Sequence, residues 1–197
     1  MRTEAFPPPA SDPSFHRRAV FVDRDGTLNP DLKYLDDPER VELFLGVAAG
    51  LRRLRARGFR ILCITNQSGI ERGFYSREEV DRIHARINEK LARAGARVDG
   101  FYYCPHAPET GCDCRKPGTR LFEEARTDWG LDFAGSAIIG DRSLDLEAGE
   151  KLGLVTALVL APGHVEEVER EIRERKVAPD ILSLTFTGAV RRLLGSP

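Results

Sequence analysis

Ala19-Val20-Phe21-Val22-Asp23-Arg24-Asp25-Gly26-Thr27 is the stretch on which the fold turns: four apolar residues run straight into two carboxylates spaced i, i+2. Such a short apolar run reads as a buried strand. Side chains alternate along a strand, so Asp23 and Asp25 project on one side from its carboxyl end. Open parallel α/β sheets bind their ligands at that edge, and Gly26 lets the backbone turn closely. Two adjacent carboxylates repel each other unless a proton or a cation intervenes. The pair therefore predicts a shared proton or a metal. Taken alone it also fits an acidic turn that merely ends a strand.

Working outward, the pattern alternates. The apolar periods predict a helix over 46–57, a strand over 59–65, a helix over 76–94 and a strand over 100–103. After a cysteine-rich loop come a helix over 119–129, a strand over 137–139, a helix over 144–152 and a strand over 155–160. Ser76 and Glu79 make a capping box for the second helix, and Val80, Ile83, Ile87 and Leu91 repeat along its core face. Segment 166–176 reads as a charged helix or linker, and 179–194 as a short strand and closing helix. Strands separated by helices imply a mostly parallel sheet covered on both faces, a Rossmann-like three-layer α/β sandwich. Residues 1–17 are proline-rich and aperiodic and read as a flexible lead-in to a single domain over 18–197.

The 197 residues include 30 basic and 31 acidic side chains, a formal charge of -1 that offers no general attraction to nucleic acid or anionic membrane. No apolar run approaches the roughly 20 residues of a membrane span. The start of the chain lacks the pattern of a secretory signal, so a cytoplasmic protein is expected.

Three more segments sit where strands should end. Thr65-Asn66-Gln67-Ser68-Gly69 offers hydroxyl, amide and backbone N–H groups that suit phosphate oxygens, or forms an ordinary polar turn. Arg115-Lys116-Pro117 brings two cations after the cysteine loop, with Pro117 expected in the first turn of the next helix. Gly140-Asp141-Arg142-Ser143-Leu144-Asp145 adds Asp141 and Asp145. Carboxylates meeting at one sheet edge call for a hard cation, and Mg²⁺ bridges carboxylate to substrate phosphate. Asp145 reads equally as a first-turn helix acid or as support behind the metal ligands.

The order D-x-D-G-T, strand-ending Thr, Lys, then G-D-x-x-x-D closely resembles the haloacid dehalogenase superfamily of phosphohydrolases. The resemblance implies that Asp23 forms an aspartyl phosphate and that Asp25 protonates the leaving oxygen, then activates water. It also implies that Thr65 and Lys116 hold the phosphoryl oxygens, and that Asp23, the Asp25 backbone carbonyl and Asp141 bind Mg²⁺. The spacing leaves no room for a large cap domain.

Cys104, His106, Cys112 and Cys114 provide three thiols and one imidazole within the loop 104–114, a closed four-ligand set typical of structural Zn²⁺. Disulfide pairing is the alternative. Cys63 reads as a small buried hydrophobe, and His16, His84 and His164 have no evident partner. The run C-P-H … C-x-C-R-K-P resembles the histidinol phosphate and D-glycero-D-manno-heptose 1,7-bisphosphate phosphatase group. In that group the matching positions imply substrate contacts from Asp31, Leu32, Lys33, Tyr34, Thr65, Asn66, Gln67, Ser68, Arg115, Lys116 and Arg142, the last standing where a Lys is often found. The expected activity is removal of the C7 phosphate of the heptose bisphosphate, a small phosphorylated sugar, by a monomer in nucleotide-heptose or lipopolysaccharide core synthesis. Histidinol-phosphate phosphatase, DNA 3′-phosphatase and a zinc-stabilised binding module are the competing readings.

Overall fold

The structure is a computed structural model that describes residues 1–3, 17–160 and 165–195. Strands β1 (Ala19–Val22), β2 (Arg60–Asn66), β3 (Gly100–Cys104), β4 (Ala137–Gly140), β5 (Val155–Val159) and β6 (Ile181–Ser183) form one sheet in the order β3-β2-β1-β4-β5-β6. All five neighbouring pairs are parallel. Helices α1 (Val47–Ala56), α2 (Arg77–Arg93), α3 (Arg120–Trp129), α4 (Ser143–Leu152), α5 (Val165–Arg175) and α6 (Phe186–Leu193) make the crossovers and the closing element.

Strand β1 shows why the sandwich has three layers. Val20 and Val22 enter a core shared with Leu51 and Leu54 of α1, Ile83 and Ile87 of α2, and Phe186 and Val190 of α6. Ala19 and Phe21 enter the opposite core with Leu121, Phe122 and Ala125 of α3 and Ala148 of α4. A strand buried on both faces is uniformly apolar because each successive side chain meets a different layer of helices. Helix α5 packs Val168 with Leu146 of α4 and Leu158 of β5.

The expected elements are present, with ends shifted by a residue or so. Ser76 accepts a hydrogen bond from Glu79 N, while the Glu79 carboxylate accepts one from Ser76 N, giving the capping box of α2. The 27–46 connection contains only a one-turn 3₁₀ helix, Pro38–Arg40, so among the described residues no large cap domain is inserted there. Pro117 differs from its expected place: α3 starts at Arg120, and Pro117 lies in the turn before it. Residues 4–16 of the expected lead-in, including His16, lie outside the described residues, as does His164. Met1–Thr3 depart from that expectation. Thr3 N donates to Phe101 O at 3.0 Å and Tyr103 N to Met1 O at 2.8 Å, an antiparallel pairing that occupies the free backbone groups along the outer edge of β3.

Helix α4 lies close to the sheet because it carries Gly149. A Cβ there would fall 2.6 Å from Thr156 Cγ2 and 2.7 Å from Ile138 Cγ2. Gly149→Ala should push α4 off β4 and β5 and destabilise the protein by about 1–3 kcal/mol in urea denaturation. Unchanged stability would mean that the helix–sheet contact is slack.

Candidate active site

The strand order reverses at β1, with β2 on one side and β4 on the other. Ligand crevices of open α/β sheets form at such switch points. A cavity of about 430 Å³ opens there, lined in part by Asp23, Asp25, Thr65, Lys116 and Asp141. Asp31, Lys33, Tyr34, Asn66, Gln67, Ser68, Arg115 and Arg142 line it too. Among the expected substrate contacts, Leu32 alone is not in this lining; it is partly exposed outside the cavity.

Lys116 is almost wholly buried, with its Nζ donating to Ile64 O at 2.7 Å and to Asp145 Oδ1 at 2.6 Å. The same ammonium lies 2.8 Å from Asp23 Oδ1. Its backbone is clamped by Asn66, whose side chain accepts from Lys116 N at 3.0 Å and donates to Lys116 O at 3.2 Å. Burial opposes the charge on Lys116, but Asp145 and Asp23 outweigh it and raise its proton affinity. Asp145 also accepts from Arg142 N at 3.1 Å through its other oxygen. It thus serves both as the acid of the first turn of α4 and as the anchor of Lys116.

Asp23 and Asp25 have different surroundings. Burial raises Asp23 to about 6, with Lys116 opposing the rise and the Asp145 and Asp25 charges adding to it. Burial also acts on Asp25, but there the Arg24 guanidinium and hydrogen bonds from Arg24, Asn29 and Gln67 prevail, so its pKa is lowered. Arg24 Nε lies 3.1 and 3.0 Å from the two Asp25 oxygens. Asn29 Nδ2 and Gln67 Nε2 each donate to Asp25 at 2.9 Å. Gln67 also donates to Thr65 Oγ1 at 2.8 Å and accepts from Tyr75 OH at 2.7 Å. Gln67 therefore orders the site besides facing the cavity.

The oxygens of Asp23, Asp141 and Asp145 approach within 4.8 Å of one another. Gly26 has φ +85°, and the Asp141 carboxylate occupies the space that a Cβ would take. Thr27 Oγ1 donates to Asp141 Oδ1 at 3.0 Å. Burial, followed by the charges of Asp23 and Asp145, raises Asp141 well above the usual carboxylate range. At the strand ends four carboxylates face the buried cations Arg24 and Lys116, leaving a surplus of two negative charges. Asp23 Oδ1, buried, is met by the Lys116 ammonium alone, at 2.8 Å, an ammonium that it shares with Asp145 and the Ile64 carbonyl. Both oxygens of Asp145 are engaged, so Asp23 and Asp141 have the remaining acceptor capacity. An all-oxygen set with that surplus fits Mg²⁺.

The cysteine loop also fits its ion. All four cysteines are free, and the Cys104, Cys112 and Cys114 sulfurs lie 3.2–3.5 Å apart, too far for a disulfide. His106 Nδ1 lies 3.6 Å from Cys104 and 3.2 Å from Cys114. Tetrahedral ligands at 2.3 Å from zinc would be about 3.8 Å apart, so modest expansion of this cluster accommodates the ion. Cys63 is fully buried in the core, as expected of a small hydrophobe.

Arg142 faces the cavity but is not a free cation. It donates to Glu167 at 2.8 Å and Glu171 at 2.5 Å, both on α5. Arg24, Tyr75 and His84 were missed as parts of the site network. By strand alternation Arg24 points opposite to the two aspartates that flank it, and His84 falls on the apolar arc between Val80 and Ile87; both positions signal burial, although the long Arg24 side chain folds back onto the Asp25 carboxylate. His84, read from the sequence as unpartnered, is fully buried beside Thr3 Oγ1 at 2.8 Å and Arg24 Nη1 at 3.4 Å. Among the described residues no helix is long and apolar enough to cross a membrane.

A carboxyl whose pKa rises on folding binds its proton more tightly in the folded chain. The Asp23 contribution therefore stabilises the metal-free protein at low pH and is lost as pH rises through about 6. Lowering the pH from about 7.5 to about 5.5 should raise this part of the metal-free protein's stability, and protons should weaken Mg²⁺ binding over the same interval. Calorimetric titration of Mg²⁺ checks this, and an affinity independent of pH across that range contradicts it.

The HAD-hydrolase-like family model matches residues 113–184. A probable D-glycero-D-manno-heptose-1,7-bisphosphate 7-phosphatase of Thermoplasma acidophilum is 41% identical over 143 residues, covering 72% of this chain and 89% of the relative. The D-glycero-beta-D-manno-heptose-1,7-bisphosphate 7-phosphatase of Haemophilus ducreyi is 35% identical over 175 residues, covering 85% and 96% respectively. The crystal structure of D,D-heptose 1,7-bisphosphate phosphatase from B. bronchiseptica complexed with magnesium and phosphate superposes with a TM-score of 0.78. That protein is 26% identical, and the match covers 90% of this chain and 98% of the other. The motifs, the sheet order and these near full-length relatives place the chain in the haloacid dehalogenase-like hydrolase family, in the group that includes these phosphatases.

Proposed function

We propose that this protein is a Mg²⁺-dependent phosphatase that removes the C7 phosphate of D-glycero-D-manno-heptose 1,7-bisphosphate, acting in the cytoplasm in nucleotide-heptose or lipopolysaccharide core synthesis. The observation that carries the reading is the convergence of Asp23, Asp25, Thr65, Lys116 and Asp141 on one cavity in a chain whose relatives bear that name.

Asp23 is the nucleophile. Its carboxylate attacks phosphorus as the bond to the sugar oxygen breaks, leaving an aspartyl phosphate and an alkoxide that takes a proton from Asp25. Since Arg24 keeps Asp25 ionised in the free protein, that proton arrives with the substrate, whose phosphate monoanion holds one up to a pKa of about 6. Asp25, again a carboxylate, then takes a proton from the water that attacks the acyl phosphate, regenerating Asp23 and releasing phosphate. Lys116 and Thr65 hold the phosphoryl oxygens, Lys116 being oriented by Asp145 and by the Ile64 carbonyl. Asp23, the Asp25 backbone carbonyl and Asp141 would hold Mg²⁺, which when bound neutralises phosphoryl charge. Asp31, Lys33, Tyr34, Asn66, Gln67, Ser68 and Arg115 face the sugar side, and Arg142 contributes with its charge shared by Glu167 and Glu171.

Cys104, His106, Cys112 and Cys114 would hold Zn²⁺, which when bound would fix the start of the Arg115-Lys116 segment. Arg115 Nη1 donates to His106 O at 3.2 Å and ties the metal loop directly to a cavity residue.

Asp23→Asn should lower kcat on the heptose bisphosphate by on the order of 10³-fold or more with an unchanged circular dichroism spectrum. A panel of both anomers of the heptose bisphosphate, histidinol phosphate and a 3′-phosphorylated oligonucleotide tests the substrate. Faster turnover of either of the last two overturns the assignment. For the metal loop, Cys112→Ser should lose zinc by elemental analysis and lower both Tm and kcat; full stability and activity without zinc would remove its positioning role.

A further inference from the structure

The first three residues reach the site through a buried polar chain. Thr3 is fully buried although it belongs to the amino-terminal segment, and it lies against α2 while its backbone pairs with β3. Its hydroxyl contacts Asp81 Oδ1 at 2.6 Å and His84 Nδ1 at 2.8 Å. His84 stacks on Phe101 with ring centroids 4.4 Å apart and planes 13° apart, so the ring has one fixed orientation. Its Nε2 faces Arg24 Nη1 at 3.4 Å. Arg24 then reaches Gln67 Oε1 at 2.9 Å and both oxygens of Asp25.

Donor chemistry gives this chain a single direction. A guanidinium only donates, so His84 Nε2 must accept and the ring proton must sit on Nδ1. Nδ1–H then donates to Thr3 Oγ1, whose one hydrogen is left for Asp81, the carboxylate that can only accept. Each contact is of the kind the next one requires. Burial, assisted by the Arg24 charge, keeps His84 neutral, as the accepting role of Nε2 demands. Arg24 meets four acceptor atoms on three residues while its side chain is 1% exposed, so its guanidinium plane is set by His84 and Gln67 as well as by Asp25.

We propose that Thr3 and His84 are positioning residues for the acid–base step: they lock Arg24 so that it holds the Asp25 carboxylate in its working orientation, and the docked amino terminus is thereby a required part of the active site. This rests on the reading of Asp25 as the proton donor. A misplaced donor harms a substrate in proportion to how much its leaving group needs a proton. A sugar alkoxide needs one, whereas p-nitrophenolate departs without it. Loss of folded protein lowers both rates alike.

Thr3→Val, Thr3→Ser, His84→Gln, Asp25→Asn and the distant Ser136→Ala are compared in the full chain with Mg²⁺, using the heptose bisphosphate and p-nitrophenyl phosphate. Single-turnover release of the leaving group under enzyme excess isolates the first chemical step from the water attack common to both substrates. Thr3→Val should lower the single-turnover rate on the heptose bisphosphate about tenfold and that on p-nitrophenyl phosphate less than about twofold; Thr3→Ser should restore both. His84→Gln, which keeps a donor and an acceptor but not the ring, should show the same split and guards against a Thr3→Val protein that does not fold. Ser136→Ala, which removes a buried bond to Ala19 N, should lower Tm without a split. Equal losses on the two substrates, or no loss, for both Thr3→Val and His84→Gln overturn the proposal while Asp25→Asn still splits them. If Asp25→Asn itself shows no split, the proton-donor reading fails and the proposal falls with it.

Discussion

The buried ammonium of Lys116 is the interaction on which the rest depends. It joins the end of β1 through Asp23, the end of β2 through the Ile64 carbonyl and the first turn of α4 through Asp145. Its own backbone arrives from the loop after β3, held by Asn66. One cation thus draws together four crossovers that share no local sequence. Removing one partner from a buried ion cluster leaves an uncompensated charge, at a typical cost of about 3–5 kcal/mol. The group that organises the sheet edge is also the one that meets a phosphoryl oxygen in the proposed reaction, which would couple local stability to chemistry there.

The two aspartates of the opening motif begin as equals and end with opposite character. Asp23 sits among Asp141, Asp145 and a shared lysine, and burial leaves it with a raised pKa of about 6. Asp25, two residues on, has a guanidinium and two amides to itself, and its pKa is lowered despite burial. Pairs of titratable groups pushed apart in this way are how a site assigns a nucleophile and a proton carrier from the same residue type. The metal reading follows from the same asymmetry, because the carboxylates left short of donors are Asp23 and Asp141, while Asp25 and Asp145 are engaged.

Structural and reactive duties overlap in the turn after β2. The hydroxyls and amides of 65–68 read from the sequence as phosphate ligands, and they do face the cavity. Asn66, however, clamps Lys116, and Gln67 joins Thr65, Tyr75, Arg24 and Asp25. The cysteine loop does comparable work from the other side, with Arg115 bonded to the His106 carbonyl. A rigid frame of this kind limits reorganisation when charge moves during phosphoryl transfer.

The strand–helix alternation, the parallel three-layer class, the D-x-D, Thr, Lys and G-D positions at strand ends, and the Cys/His cluster are all legible in the amino-acid sequence, because each depends on local periodicity or on residues a few positions apart. The capping box of α2 is legible there too. Tertiary structure alone decided which partner each charged group acquires. That Arg24 and His84 form one buried chain with Thr3, that Asp145 holds Lys116, that Arg142 is shared with Glu167 and Glu171, and that Leu32 stays outside the cavity follow from contacts as many as 81 positions apart along the chain. Met1–Thr3 read as a lead-in because a three-residue segment has no period; it became part of the fold by finding the open edge of β3. Hydrophobic pattern is written along the chain, whereas the pairing of buried charges is fixed only when distant segments exclude water together.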